Sequence, residues 1–270
     1  MNFGKRLGIP SGWPDHFQSD DLIKFAVNVT EEAAAWWEDR FLKQAPDLFP
    51  RELAARLLEG MPGTHRCLYQ TIDPVKDLVG LEIDGFDGAG DKIWFTGQSI
   101  DWKTNTWWKE LTDFDRNLQD DGLGTMLMGN CFDLALALNM ERIKVTAVDA
   151  GAYAWIRLGF VPQGDEWNTE VKAKIVRKLE QLKQVRAIDT VTLKKVHGFL
   201  TSDEPTTIRK IADERVTVPS TKYREPKSKR PIQIPLGRAL LAESELSWHG
   251  ELNFDDEESV RVFEDYRRDE

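Results

Sequence analysis

Residues 119–124, Gln-Asp-Asp-Gly-Leu-Gly, form a glycine-rich turn between an extended run, TWWKELTDF, and an apolar helical run, TMLMGNCFDLALALNM, which a second extended run, ERIKVTAV, follows. Strand, turn, helix and strand in that order join through a right-handed crossover, and the two strands become parallel members of one sheet. The turn has a chemical consequence as well. With no Cβ atoms in the way, its backbone N–H groups can face an anion while the helix start adds about half a positive charge. No Gly-Lys-Ser/Thr follows, so it is not a Walker loop, and its glycine spacing is not the three-glycine dinucleotide fingerprint.

The flanking sequence extends this into a fold expectation. After an irregular entry with one short strand, LIKFAVNV, Thr30 followed by Glu31 and Glu32 reads as a helix N-cap with an acidic first turn. Ala33, Trp36, Trp37 and Phe41 then recur at helical spacing. Pro46 and Pro50 split this stretch into two helices, the second ending at Gly60. From about His65 to Asp115 the period shifts toward two, and Asp, Gly and Asn punctuate four runs, which predicts an antiparallel meander with its last hairpin turn at 101–105. Downstream of ERIKVTAV comes a small-residue helix, AGAYAWIRL, closed by Gly159-Phe160. Helices, antiparallel strands and a parallel crossover together predict an α/β fold, α+β in its strand order, with a mixed sheet.

Composition excludes several function classes. Over 270 residues, 36 Lys and Arg stand against 46 Asp and Glu, a net charge of −10, which argues against coating nucleic acid or an anionic membrane as the main task. Two distant cysteines, Cys67 and Cys131, make neither a disulfide scaffold nor a cysteine-rich zinc module, so no metal is expected. The opening MNFGKRLGIPSGWPDH lacks the apolar core of a signal peptide, and no segment is apolar over a membrane-spanning length, so a cytoplasmic location is expected. Four of ten tryptophans, Trp94, Trp102, Trp107 and Trp108, crowd one short stretch, where buried packing explains them. His16, His65, His197 and His249 are scattered and read as surface or packing residues.

With these residues in place, Gln119, Gly122 and Gly124 match the (Q/R)-x-x-G-x-(G/A) motif, and the chain resembles the GNAT family of acyl-coenzyme A-dependent N-acetyltransferases. The resemblance covers residues 66–165 and is strongest from 107 to 162. It implies a GNAT-like acyl-CoA N-acyltransferase fold with a helical N-terminal lead-in and a C-terminal extension. It further implies that Gln119, Asp121, Gly122, Leu123, Gly124 and Thr125 cradle the pyrophosphate of acetyl-CoA, bound as co-substrate. The acyl acceptor would be an amine, and transfer of an acetyl group the expected reaction. In such folds a neutral amine attacks the thioester and a carboxylate or water takes its proton. The strand before the turn offers Glu110 and Asp113 for that role, although carboxylates on a solvated strand face are also ordinary.

The sequence departs from the family pattern at two places. Where relatives often place a proton-donating tyrosine, four residues before the glycine of Gly-Phe, this chain has Trp155. Tyr153, the nearest phenol and the remaining catalytic candidate, lies about 200° round the helix from it, so it cannot simply substitute, and packing on the sheet is the favoured reading. Asp120 and Asp121 stand where relatives carry Arg, Lys or Gly, and either repel a diphosphate or cap the helix. These departures support a competing expectation, a non-catalytic GNAT-fold protein used for structure or docking, for example in a phage virion.

The expected organisation is a lead-in with helices (1–65), the GNAT-like core (66–165), a helical extension (166–214), a basic proline-rich linker or arm (215–238) and an acidic C-terminal segment (239–270). Within 166–214 the charged run 167–186 and the run TIRKIADE read as helices. The arm carries Lys222, Arg224, Lys227, Lys229 and Arg230 with few aromatics, which favours a linker over a nucleic-acid contact. A protein partner or a second copy of the chain would meet the C-terminal extension.

Overall fold

The computed structural model describes residues 15–115, 117–118, 122–184, 187–218, 232–241 and 247–269. The chain divides into two compact units, 1–145 and 146–269, a boundary that falls inside the 66–165 span of the resemblance.

In the first unit, β1 (Ile23–Phe25) is followed by α1 (Glu31–Trp37), which runs on as a π-helical turn over Glu38–Leu42, and then by α2 (Pro50–Leu57). Thr30 caps α1 as its sequence implies, its hydroxyl accepting from Ala33 N–H (3.2 Å). Trp37 and Phe41 are fully buried and stack at 3.8 Å between ring centroids. The meander follows as β2 (Thr64–Asp73), β3 (Leu78–Phe86), β4 (Lys92–Asp101) and β5 (Thr106–Phe114). Asp101 shapes the last turn by accepting from Lys103 N–H at 2.8 Å. The β2–β3 turn is tied to α1, because Asp77 accepts from Trp36 Nε1 (2.8 Å) and takes a two-point contact from Arg40 (2.8 and 2.7 Å).

Helix α3 (Leu123–Ala137) then leads to β6 (Arg142–Ala147). Strand β1 is parallel to β2, β2 to β5 pair antiparallel in sequence order, and β6 is parallel to β5, so the sheet is mixed as expected. Directly paired residues share a face. The row Tyr69, Leu81, Gln98, Lys109 and Val145 therefore points to one side of the sheet, and all five are buried. Contacts to this side come from α1, where Trp37 meets the Tyr69 ring edge-on at 5.9 Å, and from α3, where Cys131 reaches Gln98.

The second unit contains α4 (Asp149–Arg157), β7 (Val161–Pro162), α5 (Gly164–Glu166), a π-helical turn over Trp167–Val171, α6 (Lys172–Gln184), α7 (Thr190–Phe199), α8 (Thr207–Asp213), β8 (Arg215–Val218), β9 (Ile232–Pro235), α9 (Leu236–Leu241), β10 (Trp248–Asn253) and α10 (Glu257–Asp269). Two of its features differ from the sequence reading. The stretch 215–238 is not a plain linker at its ends, because Arg215–Val218 and Ile232–Pro235 form an antiparallel ladder and a helix begins at Leu236. Its basic residues Lys222, Arg224, Lys227, Lys229 and Arg230 lie outside the described residues. The acidic C-terminal segment holds a strand, β10, paired antiparallel with β7 through Gly250–Pro162 and Glu251–Val161, and a helix whose Phe263 is fully buried. Buried Arg209 fastens this unit from within, donating to the Gly159 carbonyl (2.6 Å) and to Ser259 Oγ.

Candidate active site

The site begins where β5 loses one of its neighbours. Its ladder with β6 runs from Thr106–Arg142 to Lys109–Val145 and stops, whereas its ladder with β4 continues to Trp94–Phe114. Between Gly97–Leu111 and Gln98–Lys109 the β4 register shifts, leaving Glu110 as an extra residue in β5. Such a bulge bends a strand and re-aims its side chains. Glu110, Leu111 and Asp113 thereby stand exposed along an edge that the β6 ladder no longer borders.

Glu110 is exposed and lies over Gly97, where an added Cβ would stand 3.8 Å from its Oε2, and its Oε1 accepts from Ser99 Oγ (3.3 Å). Asp113 is also exposed and pairs with Phe95. Phe95, Gly97 and Ser99 alternate away from buried Gln98, so both carboxylates stand on the face opposite the buried row. Between them Leu111 is 50% exposed, an apolar side chain presented to whatever occupies that edge.

The start of α3 reaches the same place. Gly122 is its N-cap at φ 73°, a left-handed conformation that glycine adopts without strain, and it brings no side chain to cap the helix. The first turn contains no acidic residue and Gly122 makes no side-chain cap, so the leading amides of Leu123, Gly124 and Thr125 have the donor character and partial positive charge of a helix start. An added Cβ on Gly124 would touch the Phe114 ring at 3.8 Å, which puts the helix start beside the last residue of β5. Gln119, Asp120 and Asp121 lie outside the described residues, so neither a pyrophosphate contact nor a capping role is assigned to them.

The structure thus brings Glu110, Asp113, Gly122, Leu123, Gly124 and Thr125 to one end of the first unit. Tyr153 belongs to the second unit, where its half-buried ring packs on α9, with Cε2 only 2.8 Å from where a Cβ on Gly237 would be. Trp155 packs too, its indole over Gly151 and edge-on to Phe160 at 5.2 Å.

A buried polar cluster went unrecognised in the sequence. Lys109 is 2% exposed, and its Nζ donates to Thr96 Oγ1 at 3.4 Å. Thr96 Oγ1 lies 3.0 Å from both the Leu111 carbonyl and Thr112 Oγ1. Gln98 Oε1 accepts from Trp107 Nε1 (2.8 Å) and Cys131 Sγ (3.6 Å), whereas Gln98 Nε2 is buried and finds no partner among the described residues. Burial lowers the Lys109 ammonium to about 8 and pushes the Cys131 thiol up to about 12. The signal was available: in TWWKELTDF, alternation puts Lys109 on the face of Trp107. Among the described residues no three His, Cys, Asp or Glu side chains gather as a metal site, and no helix is long and apolar enough to cross a membrane.

No family model matches the chain, and no curated protein matches it. Solved structures do, acetyltransferases among them. One is a nourseothricin acetyltransferase (19% identity, 34% of this chain, 55% of that one, TM-score 0.28). Another is a GNAT-family acetyltransferase from Staphylococcus aureus (15% identity, 32% and 56%, TM-score 0.28). A third is a streptothricin acetyltransferase candidate from Bacillus anthracis in complex with acetyl coenzyme A (20% identity, 31% and 49%, TM-score 0.27). The chain spans about half the length of each of these three structures. What the site does is read below from its own geometry.

Proposed function

We propose that the protein is an N-acyltransferase, taking an acyl group from a coenzyme A thioester and passing it to an amine. The observation that carries this reading is the glycine-opened start of α3 set beside Phe114 at the bulged end of β5, where the β6 ladder has stopped. An anion binder, an unbordered strand edge and an exposed carboxylate then lie within one region, which suits a long substrate with a diphosphate at one end and a thioester at the other.

In this reading the amides of Leu123, Gly124 and Thr125 hold the diphosphate, and exposed Leu111 and Met126 offer apolar surface to the pantetheine arm. The neutral amine attacks the thioester carbonyl, a C–N bond forms, the C–S bond breaks and coenzyme A leaves as its thiolate. Glu110, fixed by the bulge and held by Ser99, accepts the proton that the amine sheds, and Asp113 is the alternative acceptor. Tyr153, committed to packing on α9, is the weakest of the proposed catalytic residues. The acceptor is proposed only as an amine.

Titration calorimetry with acetyl-CoA and with free coenzyme A tests the donor site. Micromolar binding is expected, and Gly124→Glu should abolish it while the protein stays folded, since a Cβ at this position meets Phe114 at ordinary contact distance. Glu110→Gln should leave binding intact and lower turnover about 10²-fold, the usual loss with a general base. No binding at millimolar ligand would overturn the reading in favour of a non-catalytic docking protein, the alternative that Trp155 in place of a tyrosine supports.

A further inference from the structure

We propose that Lys109 is itself an acyl acceptor, so that the protein acylates its own β5 strand from a bound coenzyme A thioester. This rests on the acyl-donor reading above and goes beyond it, because the acceptor is now a named atom. Three observations converge on Nζ of Lys109. The first is position: Lys109 is the last β5 residue laddered to β6, and its Nζ runs along the strand to Thr96 and hence to the level of Thr112, beneath the part of β5 where that ladder has ended.

The second is an excess of donors. Lys109 carries three N–H groups and Gln98 Nε2 two more, and among the described residues the 3.4 Å contact to Thr96 is the one bond they make. Gln98 Oε1 is already taken by Trp107 and Cys131. An acyl carbonyl oxygen on Nζ would bring the acceptor that Gln98, directly across the ladder, lacks.

The third is reactivity. Desolvation holds the amine near 8 against an ordinary 10.5, so at neutral pH the fraction present as free base exceeds that of an exposed lysine by about 10²-fold. Acylation would also end the burial of an ammonium that no carboxylate among the described residues pairs, because the product amide is neutral. The step balances without further reagents: Nζ forms the C–N bond, the thioester C–S bond breaks, and the amine proton leaves with the coenzyme A thiolate as thiol.

The test is incubation of the full chain with acetyl-CoA at neutral pH, followed by intact-mass measurement and peptide mapping. Ordinary chemical acetylation strikes exposed amines first, here Lys43 and Lys76, whose side chains are 62% and 73% exposed. The proposal expects the opposite order, with one acetyl group at Lys109 before either of these. Gly124→Glu should abolish that label, and Lys109→Met should remain folded and gain no early acetyl group. If coenzyme binds by calorimetry but exposed lysines are modified first, or none is, the self-acylation proposal falls and the transferase reading stands. If no coenzyme binds, both fall.

Discussion

Replacing Lys109 by methionine should stabilise the protein, and by an amount that depends on pH in a definite way. A lysine amine titrates near 10.5 in the unfolded chain and near 8 in the fold, where burial beside Thr96, Gln98 and Cys131 disfavours its charge. Below pH 8 both states carry the proton and the folded state bears the full penalty. At 1.36 kcal/mol per pH unit, the interval from about 8 to 10.5 corresponds to about 3 kcal/mol. Between those values the unfolded chain binds more protons than the fold, so stability rises with pH as the penalty is relieved. Methionine fills a similar volume without charge, and such swaps cost less than about 1.5 kcal/mol in packing. Lys109→Met should therefore exceed the wild type by about 2 to 3 kcal/mol at pH 7, with the gap closing between pH 8 and 10.5. Urea unfolding of both proteins at successive pH values measures it.

The comparison must be between the two proteins, because other groups oppose the trend in the wild type alone. Burial holds Cys67 and Cys131 at about 12 against an ordinary 9.0, so above pH 9 their thiols ionise in the unfolded chain while staying protonated in the fold. There the fold binds more protons, and stability falls as pH rises toward 12. The Cys67 part of this loss is common to both proteins and subtraction removes it; Cys131 interacts with Lys109, so the comparison is read below pH 9, before the thiols titrate. A gap that does not change with pH, or a wild type more stable than Lys109→Met at pH 7, would refute the claim that a destabilising ammonium is buried in this sheet.

The same two thiols, fully buried in β2 and α3, should resist a disulfide reagent in the native protein at pH 8 and react fully in urea; fast native labelling of either would show that its region opens readily. Gly85→Ala should cost about 1–3 kcal/mol by urea unfolding, because the new methyl would fall within the ring of buried Trp94 across the β3–β4 ladder. A change below about 0.5 kcal/mol, ordinary for surface sites, would mean that Trp94 does not cover that position.

What the sequence disclosed, and what it hid, follows from the range of the interactions involved. The Thr30 cap, the Asp101 turn and the glycine opening of α3 depend on neighbours within a few positions, and each was legible. Strand β10 was not, although Trp248, Gly250 and Leu252 are buried at period two. A glycine holds the middle inward position, with the Trp248 ring lying where its side chain would be, so the apolar alternation is broken in the sequence and completed only by folding. The Glu110 bulge is likewise a matter of register against Gly97, thirteen positions earlier in the chain, and no local pattern specifies it. Glu110 could be nominated as a carboxylate on a strand, but not as the residue that the bulge turns out.

Lys109 is the opposite case, since its direction was readable and its meaning was not. Alternation from buried Trp107 sends it to the interior, while composition marks it as a residue that ordinarily stays wet. A surface lysine would have fitted both patterns one position away in either direction. When the period of a strand and the polarity of its residue disagree, either the lysine destabilises the sheet with no return or the site uses its amine. The stability difference and the order of acetylation separate these two outcomes, because the first requires only burial whereas the second requires that a bound thioester reach Nζ.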